Sequence, residues 1–219
     1  AGAMSSMFKA PVAAIVFAVE IFSLDLVFTS LVPLLLASIA AVITSYFFRG
    51  TDVLFSFELL DVWRVKDIIF YVFLGLATGI ASVYFSKMYF LITRFFGWFS
   101  NAYVKIGIAA LAIGLMLYLF PPLYGEGYGL INNLLNGNTE VALSGIQYQI
   151  DFNNVWTVIA ILLLIAVFKA IAMTTTFAAG GVGGIFIPTL FMGSALGNSV
   201  AKVINQFGFE VSESNFTLI

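Results

Sequence analysis

Long apolar runs dominate this chain, interrupted at a few places by glycine, proline or a short charged stretch. Phe8 to Phe22 is apolar, with Pro11 near its start, where a helix tolerates proline. The run is too short to cross a bilayer, which takes about 20 apolar residues. Asp25 ends it, and Leu26 to Phe48 predicts a spanning helix with Pro33 inside as the position of a kink. Arg49 to Asp67 gathers Arg49, Asp52, Glu58, Asp61, Arg64, Lys66 and Asp67. It reads as an aqueous loop, with a short amphipathic helix expected around Phe57 to Val65. Ile68 to Phe96 predicts a helix that exceeds the roughly 30 Å hydrocarbon core and should tilt. Gly75 and Gly79, on one face of it, would admit a close neighbour. Asn101 to Phe120 is the next span, stopped by Pro121-Pro122. A short helix is expected near Leu130 to Leu135, and Asn136 to Asn154 is polar and loop-like. Val155 to Thr176 predicts another span, and Ile185 to Phe207 a final helix.

The break between those last two helices is the most unusual feature. Gly180, Gly181, Gly183 and Gly184 crowd one short stretch that runs straight into Ile185-Phe186-Ile187-Pro188. Backbone that stops being helical inside a membrane must be buried in protein or line a wet cavity. A helix start there presents unpaired N–H groups and the positive end of a helix dipole, a place to hold an anion. The plain alternative is close helix packing, because Gly193 and Gly197 just downstream have GxxxG spacing. Crowding of the glycines, and bulky residues followed by proline, favour the helix start.

Composition narrows the class. The 219 residues are 62% hydrophobic and 9% charged, against roughly 25% charged in soluble domains. The chain is therefore expected to be an integral, multi-pass membrane protein in contact with lipid. The net charge is −2 and the basic residues do not cluster, which speaks against nucleic acid as a partner. There is no cysteine and no histidine, so a disulfide framework and an imidazole base are excluded, and a zinc site is not expected. Ala1 to Met7 lacks the charged n-region of a signal peptide. That start, and an apolar segment just beginning at Asn215 to Ile219, lead us to expect an internal piece of a longer protein. Lys87, Arg94 and Lys105 border one connection, whereas 121–154 carries Glu126, Glu140 and Asp151 and no base. The positive-inside rule puts 94–105 in the cytoplasm and 121–154 outside.

Isolated polar residues in apolar surroundings are the other candidates. Glu20 is the only acid in the first apolar segment. Such a carboxylate marks a functional position by default, or it ends a short helix at the interface or makes a buried hydrogen bond. Lys169 is the only base in the last long span. Snorkelling to an interface is one reading; an attractive charge at the cytoplasmic mouth of an anion path is the other. Thr174 to Thr176 either offer hydroxyls to a pore or bond their own helix carbonyls.

Gly184-Ile185-Phe186-Ile187-Pro188 resembles the GxFxP motif of the CLC family of chloride channels and proton-coupled chloride transporters. Phe8-Lys9-Ala10-Pro11 through Glu20 resembles a second family stretch, and Gly125-Glu126-Gly127-Tyr128 is similar to a GxGY element between two family helices. The three occur in the family's order. The resemblance implies an all-α polytopic fold of two inverted halves, incomplete here. Residues 1–48 would end the first half, 49–67 would form an aqueous loop, and 68–219 would begin the second. It implies chloride as the transported ion, no cofactor, no catalytic residue and no metal, and a homodimer with one pore per subunit. It assigns anion binding to the backbone N–H groups of Ile185 and Phe186. The coordinating Ser and gating Glu would lie before Ala1 and the coordinating Tyr after Ile219. Glu20 matches the first acid of a Glu–Glu pair in proton-coupled members, but the second position is Ile21, which carries no proton. Channel and antiporter both stay open, as does a fluoride-selective relative. The rival classes are an intramembrane enzyme, for which no catalytic constellation is present, and a purely structural membrane subunit.

Overall fold

A computed structural model describes residues 1–23, 27–51, 53–55, 64–146 and 150–219. Every regular element among them is helical, and the chain forms two compact units, Ala1–Ser56 and Phe57–Ile219. The amphipathic helix expected around Phe57 to Val65 falls outside the described residues up to position 63; Val65–Asp67 is a 3₁₀ turn.

The first unit contains α1 (Gly2–Phe8), α2 (Pro11–Phe22) and α3 (Phe28–Arg49). The apolar run at Phe8 is interrupted because Lys9 adopts a left-handed conformation, φ 52°, and Pro11 then starts α2 at its first position. Its amino-terminal side, which the apolar pattern left unassigned, is α1. Small hydroxyl residues join α1 to α3: buried Ser5 donates to the Ser38 carbonyl at 2.8 Å, and Ser45 donates to the Ser6 carbonyl at 3.0 Å. Helix α3 continues through Pro33.

The second unit contains α4 (Ile68–Gly97), α5 (Ala102–Leu119), α6 (Tyr128–Leu135), α7 (Thr139–Ala142), α8 (Val155–Ala178), α9 (Phe186–Gln206) and α10 (Glu213–Leu218). Asn101 and Asn154 start α5 and α8 by accepting from the N–H groups of Tyr103 and Trp156. Helices α3, α4, α5 and α8 are long and apolar enough to cross a membrane. Few residues of α3, α4 and α5 are fully buried, as in lipid-facing helices, while α8 buries Val158, Leu162, Ile165 and Ala166 against its neighbours. The protein is an integral, multi-pass membrane protein. The 30 residues of α4 reach about 45 Å, so tilt remains the expectation for it.

Among the described residues none lies within 4 Å of a Cβ added at Gly75 or Gly79. A close helix approach is seen elsewhere. It is at Gly197, where a Cβ would sit 2.0 Å from the Phe216 carbonyl oxygen. Most of the apolar segment at Asn215 to Ile219 lies in α10, capped by Ser212 and laid against α9. Phe216 enters a cluster with Leu74, Ala201 and Val211, and Lys202 pairs with Glu213 at 2.5 Å. Gly197→Ala should therefore lower stability by at least the roughly 1–3 kcal/mol typical of overpacking, read as a lower melting temperature in detergent.

Candidate functional site

Helix α8 ends in a hydrogen-bonded glycine cap. Gly180 is left-handed, φ 98°, its N–H donates to the Phe177 carbonyl at 3.0 Å, and the Gly181 N–H reaches back to Thr176 at 2.9 Å. This pair of bonds is the Schellman arrangement, which satisfies carbonyls that a helix end leaves open. A Cβ at Gly181 would lie 2.8 Å from the Thr176 carbonyl oxygen, which leaves no room for one, and a Cβ at Gly183 would lie 2.9 Å from Phe177 Cε1, so that ring would have to shift. Gly184 has no such neighbour and is open. Gly180 thus serves the turn and Gly181 and Gly183 the close approach of Thr176 and Phe177, all three within the break itself.

The chain re-enters helix at Phe186, with Ile185 as N-cap and no side chain capping the start. The Thr189 N–H is the first to close the ladder, onto the Ile185 carbonyl at 3.1 Å. Pro188 has no N–H, so the N–H groups of this helix start are those of Ile185, Phe186 and Ile187. Ile185 is half exposed, and Val182 in the break is fully exposed. Thr174 and Thr176 bond the Ala170 and Ala172 carbonyls of their own helix, at 2.8 and 2.9 Å.

A cavity of about 320 Å³ lies beside the break, lined by Gly183, Gly184, Pro188, Lys169, Leu123 and Gly125, among others. It brings together the two glycine-rich elements that the sequence places far apart. Lys169 does not snorkel. It is 4% exposed, and its ammonium donates to the carbonyls of Leu123 at 3.1 Å and Gly125 at 2.8 Å. The Phe191 ring centroid lies 4.6 Å from Nζ. Stacking of Phe120 on Phe168 at 5.2 Å keeps the end of α5 beside this part of α8.

The loop enters α6 through Gly127, left-handed at φ 89°, where a Cβ would lie 2.2 Å from the Phe191 ring. The neighbouring Tyr128 hydroxyl is pushed up to about 12, first by burial and then by hydrogen bonding to the Glu126 carboxylate, which favours the neutral phenol. An acid with a raised folded-state value keeps its proton after the unfolded chain has lost it. Stability should therefore fall between pH 10 and about 12, and Tyr128→Phe should flatten that slope in melting curves recorded across the range.

Glu20 belongs to the other compact unit, exposed near the end of α2, with Ile21 exposed beside it. The structure thus gathers Lys169 and the glycine break around one cavity, and leaves Glu20 outside that unit. Phe191 and the Leu123 and Gly125 carbonyls were not foreseen. The only sequence signal for them was the glycine-rich run at 125–129, whose partner in space carries no local mark.

The second unit is thus a helical membrane unit in which a glycine-broken helix pair meets one cavity. The chain matches the voltage gated chloride channel family over residues 1–219 and belongs to it. It is 28% identical over 201 residues to a putative chloride channel protein ClcB-like of Ralstonia nicotianae, covering 90% of this chain and 42% of that one. It is 24% identical to the voltage-gated ClC-type chloride channel ClcB of Salmonella typhimurium, over 93% of this chain and 45% of that one. It is 28% identical to the H(+)/Cl(-) exchange transporter ClcA of Vibrio campbellii, over 90% and 40%. The chain spans less than half the length of these relatives.

Proposed function

We propose that this chain supplies one wall of a chloride path, in which the dehydrated ion is held by the backbone N–H groups of Ile185 and Phe186 at the start of α9. The observation that carries the reading is a helix start that follows a glycine break and borders a cavity lined by Gly183, Gly184 and Pro188 in a membrane protein. N–H groups and the helix dipole replace part of the ion's hydration without a paired cation that would trap it, so the ion can leave again. The remaining donors, the Ser, gating Glu and Tyr implied by the family resemblance, would come from the full-length protein. That protein works as a homodimer, with the exposed apolar faces of α2 and α3 available to lipid or to a second subunit. Its task is transport, with no chemical step and no cofactor.

Ile21 in place of an acid favours passive conduction over proton coupling, and Glu20 alone does not complete a carboxylate pair. The Vibrio relative, named as an exchanger, keeps the antiporter as the second reading. Full-length protein in liposomes should release chloride down its gradient without moving protons uphill. Uphill proton movement driven by a chloride gradient would establish the exchanger instead, and absence of any anion flux would remove the transport reading.

A further inference from the structure

We infer that Lys169 is a positioning residue: its ammonium pins Leu123–Gly125, where the 3₁₀ turn Pro121–Leu123 runs out into loop, to α8 and α9 and so fixes the cavity wall shared with the glycine break. Lys169 lies about 21 Å along α8, in the middle part of a helix long and apolar enough to cross a membrane. Non-helical backbone at that depth needs internal partners for its carbonyls. The Leu123 and Gly125 carbonyls find theirs in Lys169. The need is mutual, because a buried ammonium is tolerated only when its donors are met. An ammonium has three N–H groups. Two go to these carbonyls, and the Phe191 ring lies within cation–π range.

The charge is thereby committed to the protein's own backbone and to a ring, not left to draw ions through the cavity. Phe191 extends the connection. Its fully buried ring lies against Gly127 at the other end of the loop, and it sits on α9 five residues beyond Phe186. One side chain thus ties the loop before α6, the helix before the break and the helix after it. Its effect on anion affinity rests on the chloride reading above; its hold on the loop does not.

The test uses the full-length protein in lipid nanodiscs, with Lys169→Met and Lys169→Arg. Amide hydrogen exchange is followed in peptides covering 121–128, and chloride affinity is titrated with and without added gluconate as a screening salt. Lys169→Met should speed exchange in 121–128 by about tenfold or more, the size expected when hydrogen bonds to a charged donor are lost. Lys169→Arg should restore most of the protection, since a guanidinium also offers two N–H groups and stacks on a ring. The chloride affinity lost in the methionine variant should be the same with and without gluconate. Unchanged protection of 121–128 in Lys169→Met overturns the assignment. So does an affinity loss that shrinks with gluconate while the loop stays protected, which is the signature of a solvent-facing attractive charge. If the methionine variant does not fold, Phe191→Leu removes only the ring. It should loosen the same peptides, and full protection there overturns the assignment. Loosened peptides in a protein that binds no chloride would support the positioning role while removing the chloride reading.

Discussion

Ile185→Pro in the full-length protein should weaken chloride binding by about 10- to 100-fold while leaving the helical fold in place. If Ile185 offers its N–H to the ion, proline deletes that donor without adding charge or polarity. Hydrogen bonds to charged groups contribute about 1.5–3 kcal/mol, and each 1.4 kcal/mol is a factor of ten. The backbone accommodates the change: Ile185 has φ −84°, near the value proline imposes, and it precedes the first helical residue. Ile185→Ala is the control, because it removes the half-exposed side chain and keeps the N–H. Chloride titration by calorimetry on both variants, with circular dichroism for the fold, reads the difference. Equal affinities for the alanine and proline variants would show that this N–H does not face the ion.

The second large effect is at Gly127. Gly127→Ala should destabilise the protein strongly, from two separable causes. The residue is left-handed at φ 89°, and a side chain there carries strain of about 1–3 kcal/mol. Its Cβ would also lie 2.2 Å and 2.6 Å from two atoms of Phe191, whose ring is fully buried and has nowhere to move. Such overpacking adds about 1–3 kcal/mol more. Combining it with Phe191→Leu should recover part of the loss, because the smaller side chain relieves the clash and leaves the backbone strain. Melting temperatures of the single and double variants measure this, and a Gly127→Ala variant as stable as the parent would contradict the packing.

The helices were legible because a membrane span is a local property. Val155 to Thr176 was expected from its apolar run, and α8 is Val155–Ala178. Ile185 to Phe207 was expected, and α9 is Phe186–Gln206. Proline and glycine punctuation marked their ends for the same reason, since φ and N–H restrictions act within a few residues. Short helices that depend on neighbours were harder. Helix α1 has few strong signals of its own and is held by hydroxyl bonds to α3, 33 and 39 positions away. Helix α10 is held by α9 through Gly197 and Asn198, and in sequence it is only a short apolar stretch at the chain's end.

Sequence alone determined the class of this protein, its membrane setting, and the glycine break feeding a helix start, because composition, periodicity and backbone freedom are carried by neighbouring residues. It could also assign its polar residues only by habit, and for Lys169 the habit of snorkelling proved a poor guide. Only the tertiary structure decided what that lysine does, since its partners are carbonyls 44 and 46 positions away and a ring on another helix. Backbone carbonyls leave no trace in the identity of a residue, and a buried cation shows its role only when the chain has folded around it.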